Sequence, residues 1–232
     1  MNLRFFLRQF LPFWKKARGP HPKTGSDTYV DPTAQFLGAS RVVIGSRCAI
    51  GEDCWFNVNH RKAPGPAILI GDSCFIGRRN FLTSASEILL GDYVLTGTDC
   101  HFLGANHSYA DPLTPYALSE VPSEEPIVIG TNCWLGSSVT VLRGVRIGHG
   151  SIVGAASVVT RSIPPFSIVV GNPASVRRRF DFQKKEWISL SGWHNGLEKA
   201  LPDEESYRTM IREKHPCVYV PAIACSAGLG NL

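Results

Sequence analysis

Aliphatic side chains recur at every sixth residue between residues 127 and 176, and this period is the strongest pattern in the chain. The aliphatic residues are Ile129, Leu135, Val141, Ile147, Val153 and Val159. The residues four positions later are small or β-branched, namely Cys133, Val139, Val145, Ser151 and Ser157. A six-residue period fits neither an α-helix nor the two-residue alternation of an open sheet. It is typical of a β-helix, in which about 18 residues form one triangular coil and coils stack about 4.8 Å apart.

The repeat predicts an all-β solenoid whose interior is filled by the aliphatic and the small residues. It begins irregularly near Tyr29 and ends at the turn Gly171-Asn172-Pro173. Glycine follows many of the aliphatic residues, and we expect it to relax the backbone next to each corner. The predicted regions are an N-terminal cap at residues 1–28, the solenoid at 29–176 and a C-terminal extension at 177–232.

The C-terminal extension has no six-residue period and is predicted to be helical. Trp187, Ile188, Leu190, Trp193 and Leu197 favour one helix lying across the end of the coils. Residues 203–214 favour a second helix. The extension could cap the coils, wall a pocket or bind a partner.

Two interruptions of the repeat stand out. Residues 57–67 carry two prolines and a glycine and predict a loop pushed out from a corner. Residues 103–126 form a longer interruption, and long loops inside compact arrays are more often functional than not. This second segment contains His107.

The N-terminal residues 1–18 interleave aromatic and basic side chains. Their apolar stretch is too short to span a bilayer, and no small-residue cleavage site follows it. Two interpretations stay open, an end cap that packs on the first coil and an interfacial anchor that makes a peripheral membrane contact.

Composition narrows the classes of function. A net charge of +5 and a pI near 8.9 favour anionic partners only weakly, and no nucleic-acid-binding motif occurs. Five of the seven cysteines lie on the small inward position of the repeat: Cys48, Cys54, Cys74, Cys100 and Cys133. No CxxC pair occurs, so we predict buried, reduced thiols and no metal ligands, as suits a reducing cytoplasm.

The stretch IGTNCWLGSSVTVLRGVRIGHGSIVGAASVVTRSIPPFSIVVGNPASVRRR, together with a histidine-bearing arm, resembles the hexapeptide-repeat acyltransferases. The resemblance covers about residues 40–180. It is strongest to the galactoside, maltose and xenobiotic acetyltransferases and the surface-polysaccharide O-acetyltransferases. It implies a left-handed parallel β-helix, a homotrimer, and an active site between neighbouring prisms where acetyl-CoA lies along the coils.

The resemblance also implies residues that handle the acceptor. His107, in GANHSYADP, aligns with the family's general base, and histidine suits proton transfer at neutral pH. Asn80, in GRRNFLT, matches a position near the acceptor; the alternative is an asparagine turn. His101 would be a substrate contact or merely a corner residue.

Four further positions would line the cofactor. The amide of Ser137 would stabilise the tetrahedral intermediate, since backbone amides need no reorganisation. Trp134 would flank the pantetheine arm, or else form an exposed rib between prisms. Amides around Ala155 and Thr160 would bind the carbonyl and amide groups of the pantetheine.

Arginines would complete the cofactor site. Arg161 matches a position usually held by lysine beside the cofactor, and Arg178 would bind the nucleotide phosphates, which guanidinium geometry favours. Ser175 stands where relatives carry a basic residue, which leaves the division of the phosphates among Arg177, Arg178 and Arg179 open. The alternative for this run is a solvated face.

The leading hypothesis is transfer of an acetyl group from acetyl-CoA to a carbohydrate hydroxyl, of a surface polysaccharide or its precursor, with His107 as base. Acetylation of an antibiotic or another small hydroxyl or amine acceptor is the nearest alternative. A non-catalytic scaffold and a zinc hydratase are the alternatives from other classes, although His101 and His107 have no evident third partner for zinc.

Overall fold

Three parallel sheets wrap around one axis as the faces of a triangular prism. The computed structural model describes residues 21–216 and residue 218. The predictions for residues 1–18, and for Cys217 and Cys225, lie outside the described residues. Successive strands visit faces A, B and C in turn, and strands of neighbouring coils pair in parallel. This arrangement confirms an all-β solenoid of the parallel β-helix type.

Each face is a ladder of short strands. Face A contains β1 (Lys23–Thr24), β4 (Val42–Ile44), β7 (Ile68–Ile70), β10 (Ile88–Leu90), β13 (Ile127–Ile129) and β16 (Arg146–Ile147). Face B contains β2 (Tyr29–Val30), β5 (Ala49–Ile50), β8 (Phe75–Ile76), β11 (Leu95–Thr96), β14 (Trp134–Leu135), β17 (Ile152–Val153), β19 (Ser167–Gly171), β20 (Ala174–Asp181) and β21 (Glu186–Ser189). Face C contains β3 (Gln35–Leu37), β6 (Trp55–Val58), β9 (Phe81–Ser84), β12 (His101–Gly104), β15 (Thr140–Leu142) and β18 (Val158–Val159).

The repeat residues fill the interior as the period predicts. On face A the strand register stacks Ile44 on Ile70, Ile70 on Leu90 and Leu90 on Ile129, and all four are buried. Cys48, Cys54, Cys74, Cys100 and Cys133 are free thiols and are buried. Burial raises the pKa of the Cys133 thiol to about 12, so this side chain is a neutral filler at physiological pH.

The repeat glycines have a different role from the expected one. A Cβ added to Gly77 would lie 2.3 Å from the carbonyl oxygen of Gly97, and one added to Gly97 would lie 2.5 Å from the backbone nitrogen of Ser137. Neither glycine has a positive φ. The left-handed residues lie three positions after the inward residue of a hexad; most are not glycine, such as Arg79 (φ 54°) and Asp99 (φ 59°), although Gly144 and Gly150 hold the same position. The expectation of a relaxed backbone was wrong, because glycine is needed where neighbouring coils come closest.

The three corners between the faces carry different structures. We call them the AB, BC and CA corners after the faces that they join in chain order. Both interruptions of the repeat project from the CA corner: the loop at residues 59–67 follows β6, and the arm at residues 105–126 follows β12. Short 3-10 helices lie at Ala39–Arg41, Tyr116–Leu118 and Leu190–Gly192.

The C-terminal extension is mixed. β20 pairs antiparallel with β19 and β21 and crosses the boundary predicted at residue 176. The first predicted helix was wrong, because Trp187 and Ile188 lie in β21 and only α1 (Asn195–Lys199) follows. The second was confirmed as α2 (Glu204–Lys214), whose first turn is capped by the side chain of Asp203.

The ends of the coil region also differ from the prediction. β1 pairs with β4, so the coils begin inside the predicted N-terminal cap. Within residues 21–216 and 218, no helix is long and apolar enough to cross a membrane.

Candidate active site

Ser137 and Ala155 lie at the BC corner on successive coils. A Cβ on Gly136 would lie 2.7 Å from the Ala155 nitrogen, so the two coils are in close contact there. The Ala156 amide donates to the Ser137 carbonyl at 2.9 Å. Within the described part of the chain, the backbone N–H groups of Ser137 and Ala155 donate no hydrogen bond. The corner therefore offers two amide donors about 4.8 Å apart, the strand spacing.

Trp134 and Arg178 share the outer surface of face B. The register pairs Trp134 with Ile152, Ile152 with Ile168 and Ile168 with Arg178. Cross-strand partners point to the same side of a sheet, so this row runs for three strand spacings, about 14 Å. Trp134 is 51% exposed. The row is an apolar ridge that begins with an indole and ends with an exposed guanidinium.

Arg179 is structural. Its guanidinium nitrogens lie 3.0 and 3.2 Å from the carboxylate oxygens of Glu198, and its Cζ lies 4.3 Å from the centroid of the Trp193 ring. Partial burial opposes ionisation of Glu198, but hydrogen bonds from Arg179 and Trp193 outweigh it and lower the pKa of Glu198. Arg179 is 5% exposed. Of the three arginines, Arg177 and Arg178 therefore remain exposed to bind an anion.

Thr160 and Arg161 lie at another corner. They follow β18 at the CA corner of the last complete coil, and both are exposed. A face of about six residues, roughly 20 Å long, separates this corner from Ser137 and Ala155. One copy of the chain therefore does not bring these predicted cofactor residues together with the BC corner.

His107 is exposed on the arm, also at the CA corner. Its Nδ1 lies 3.3 Å from the carbonyl oxygen of Ser119, and the Ser108 amide donates to the Glu120 carbonyl at 2.7 Å. These contacts join the outgoing and returning limbs of the arm. Residues 107 and 108 are thus held by the arm's own backbone, which leaves the imidazole open to solvent.

His60 is a residue that sequence reasoning missed. Its Nε2 lies 3.0 Å from the carbonyl oxygen of Val121 on the returning limb. Arg143 supports the same limb through Glu125 at 3.4 Å. The sequence held one signal, because both interruptions follow a strand of face C. Their proximity at one corner could have been inferred from that shared position.

Asn80 is not available to an acceptor in this structure. It is 1% exposed, and its Nδ2 donates at 2.8 Å to the carbonyl oxygens of both Gly77 and Gly97. The position lies four residues after Ile76, which is the small inward position of the repeat. The structure therefore supports the turn alternative and corrects the substrate-binding prediction.

His101 lies on the outer surface of face C in the strand that leads into the arm. Its ring stands edge-on to Phe81, with centroids 6.5 Å apart. It is partly exposed, as both of its predicted roles require. Among residues 21–216 and 218, no three or more His, Cys, Asp or Glu side chains gather as a metal site.

Part of the chain that forms this site matches a known protein family. A family model described as the hexapeptide repeat of succinyl-transferase matches residues 126–161. The chain is thus a parallel β-helix built from hexapeptide repeats. The matched residues contain β13 to β18, with strands of all three faces, and include Trp134, Ser137 and Ala155.

Curated relatives confirm the resemblance to hexapeptide-repeat acyltransferases. A Staphylococcus aureus (strain COL) protein described as an acetyltransferase is 59% identical over 56 residues, 24% of this chain and 28% of its own length. A chloramphenicol acetyltransferase of Klebsiella aerogenes is 36% identical over 97 residues, 40% of this chain and 46% of its own length. The chain thus spans about a quarter to a half of the relatives that it matches.

A solved structure resembles the fold over most of the chain. A variant of AntD, an N-acyltransferase from Bacillus cereus in complex with dTDP and coenzyme A, gives a TM-score of 0.59 at 16% identity. The likeness covers 87% of this chain and 98% of AntD. At this identity the likeness concerns the fold alone.

Proposed function

We propose that this protein transfers an acetyl group from acetyl-CoA to a hydroxyl group of a carbohydrate, with His107 as the general base. The observation that carries the proposal is the BC corner, where the N–H groups of Ser137 and Ala155 have no partner among the described residues and stand beside the ridge from Trp134 to Arg178. Amide donors along an apolar ridge suit pantetheine, and the guanidinium of Arg178 suits the phosphates. The relatives described as acetyltransferases and the coenzyme A bound to AntD support the same donor.

The proposed reaction needs few groups. Nδ1 of His107 contacts the Ser119 carbonyl, so Nε2 is the nitrogen that takes the proton of the acceptor hydroxyl as its oxygen attacks the thioester carbonyl. The Ser137 amide stabilises the charge that develops on the carbonyl oxygen. When the C–S bond breaks, the imidazolium returns the proton to the leaving thiolate. The products are the acetyl ester and free coenzyme A.

The two halves of this site must come from different copies of the chain. His107 projects from the CA corner, whereas Ser137 and Ala155 lie at the BC corner about one face away. We therefore propose a homotrimer in which the arm of one copy reaches the BC corner of its neighbour, as the family resemblance implies. Thr160 and Arg161 would meet the cofactor across the same boundary.

Turnover of His107→Ala tests the base. Coenzyme A release with acetyl-CoA and a panel of surface sugars should fall by about 10²- to 10⁴-fold relative to the wild type. His21→Ala, at an exposed histidine before the first strand, is the matched control and should keep its rate. Retention of most of the activity by His107→Ala would refute the mechanism.

Mixing of a base variant with a cofactor-site variant, assayed at subsaturating acetyl-CoA, tests the shared site. Co-expressed His107→Ala and Arg178→Ala chains should regain part of the activity, because mixed trimers contain sites with both residues intact. Absence of recovery in mixed oligomers isolated with two affinity tags would place the whole site in one copy.

Two observations favour a second acceptor class. The Klebsiella aerogenes relative is a chloramphenicol acetyltransferase, and AntD is an N-acyltransferase. Acetylation of a small drug or of an amine by the same residues is therefore the second candidate. Chloramphenicol and an amino sugar belong in the same acceptor panel. If either is turned over faster than the surface sugars, it replaces the carbohydrate hydroxyl as the proposed acceptor.

A further inference from the structure

A basic cleft lies at the CA corner between the loop at residues 59–67 and the arm. Its volume is about 710 Å³. The charged residues that line it are Arg41, Arg61, Lys62 and Glu87. Three of these four carry positive charge. The other lining residues include His60 and, from the arm, Ser123.

The two arginines of this cationic wall, Arg41 and Arg61, are held in place by backbone carbonyl groups. The Arg41 guanidinium donates to the carbonyl oxygens of Gly65 at 2.7 Å and Pro64 at 3.2 Å, and also to that of His60. Arg61 donates through Nε to the Val58 carbonyl at 3.1 Å. Neutral carbonyl groups order these side chains without cancelling their charge.

The basic side chains of the cleft also lack carboxylate partners that would neutralise their charge. Among the described residues, none of Arg41, Arg61 and Lys62 forms an ion pair with a carboxylate. Arg61 and Lys62 are exposed, and Arg41 is partly buried. The carboxylates of the arm itself, Asp111, Glu120, Glu124 and Glu125, are exposed and not part of the lining. Three cations, two of them held by backbone carbonyl groups, face the single carboxylate of Glu87, and such a concave site with excess positive charge favours an anion with several oxygen atoms.

The cleft and the proposed base are held by one segment of the arm. His60 lines the cleft and contacts the Val121 carbonyl, while His107 contacts the Ser119 carbonyl two residues earlier. Two residues of extended chain span at most about 7 Å. A sugar hydroxyl at His107 could therefore belong to a molecule whose neighbouring phosphate lies in the cleft.

We propose that this cleft is the acceptor's anion subsite and binds a phosphate group attached to the sugar that is acetylated. The inference rests on the proposed function and narrows its acceptor to a phosphorylated carbohydrate. Such a phosphate occurs in a sugar nucleotide and in a lipid-linked saccharide, and the cationic wall serves both. Arg61 and Lys62 contact the phosphate oxygens, and Arg41 fixes the loop that presents them.

The test begins with direct binding of uridine diphosphate, measured by calorimetry at low salt on the full chain. The wild type should bind, and Arg61→Ala/Lys62→Ala should bind about tenfold or more weakly. Lys184→Ala/Lys199→Ala removes the same charge from exposed positions outside the cleft and should bind like the wild type. Equal loss in both double variants would show a general charge effect and overturn the subsite.

Lys62→Ala alone guards against a folding defect, because the Lys62 side chain makes no hydrogen bond among the described residues, whereas that of Arg61 does. It should melt at the wild-type temperature and still weaken binding severalfold. An unchanged affinity in this variant would contradict the contact assigned to Lys62.

Two further experiments distinguish the source of the phosphate. A sugar nucleotide as acceptor should show a KM about tenfold higher for Arg61→Ala/Lys62→Ala with kcat little changed, while the free sugar should show no difference. Cosedimentation with phosphatidylglycerol vesicles, reduced in the same variant, would assign the cleft to a lipid-linked phosphate. If neither uridine diphosphate nor vesicles bind while acetyl-CoA still does, the subsite is wrong and the proposed function stands.

Discussion

The AB and BC corners are built from the same repeat, yet carboxylates accept from several backbone amides at the AB corner and from none of the corresponding amides at the BC corner among the described residues. The AB amides of Asp92 and His149 also lack an acceptor among those residues. At the AB corner the amides of Ser46, Asp72 and Thr131 donate to the carboxylates of Asp72, Asp92 and Glu204 at 2.7 to 2.8 Å. At the BC corner the corresponding amides of Thr98, Ser137 and Ala155 have no acceptor among the described residues. The sequence supplies the acceptors Asp72 and Asp92 at the first corner, whereas Thr98, Ser137 and Ala155 at the second carry no carboxylate.

The comparison separates the structural corner from the proposed ligand-binding corner. Two contacts fasten α2 to the AB corner: Glu204 of α2 accepts from the Thr131 amide, and Asp92 of the corner forms an ion pair with Arg212 of α2 at 2.8 Å. Unpaired amides have a cost in a folded protein unless water or a ligand satisfies them. We infer that the BC corner keeps its donors for a ligand.

Gly97→Ala should have the largest effect, because it forces the BC corner apart. The new Cβ would lie 2.5 Å from the Ser137 nitrogen, and overpacking of this kind costs about 1–3 kcal/mol. Both the free energy of unfolding and acetyl-CoA affinity should fall. Gly192→Ala is the matched control, because its Cβ would meet only Ile188 at 3.7 Å. If Gly97→Ala is destabilised but still binds acetyl-CoA with wild-type affinity, the Ser137 amide does not contact the ligand.

Asp92→Ala should destabilise the protein without touching the donor site. It leaves the Asp72 amide without its acceptor, a loss of about 1–3 kcal/mol, and releases Arg212 of α2. Urea denaturation would measure the loss, and calorimetry should give unchanged acetyl-CoA affinity. Asp99→Ala, which breaks the exposed pair with Arg79 at the BC corner, should lower stability less. A larger loss of stability for Asp99→Ala than for Asp92→Ala would contradict the structural role assigned to the AB corner.

The smallest expected effect is the pH dependence of the α2 cap. Hydrogen bonds from the Ser206 backbone and hydroxyl groups lower the pKa of Asp203 below its ordinary 3.8. Since the folded-state pKa is the lower one, the stabilisation is fully present above the unfolded-state value and is lost as pH falls through the folded-state value. The Tm difference between wild type and Asp203→Ala should therefore be constant from pH 7 to 5 and vanish well below pH 4. A Tm difference that does not shrink as pH falls below 4 would show that the carboxylate charge is not involved.

The sequence predicted the solenoid well, because a six-residue period is a local property that every coil repeats. It also placed the five inward cysteines and α2 correctly. The same period marks Asn80 as an inward residue, and the substrate role given to Asn80 came from the family resemblance instead. The glycines were misread because close approach involves the next coil, which lies well away along the chain.

The site could be predicted only in part. Ser137 and Ala155 fall on one corner because they occupy the same place in successive coils, and Trp134 precedes that corner on face B, which the sequence shows. The role of Arg179 could not be read, since it depends on Glu198 and Trp193 folding back over β20. The contact of His60 with Val121 joins residues 61 positions apart, and no local pattern records it.

Calorimetric titration with acetyl-CoA tests the central claim most directly, namely that the BC corner and the outer row of face B form the donor site. The wild type should bind, Arg178→Ala about tenfold or more weakly, and Arg146→Ala, at an exposed arginine on face A, like the wild type. Absence of binding at millimolar acetyl-CoA, or equal affinity in wild type and Arg178→Ala, would contradict the account.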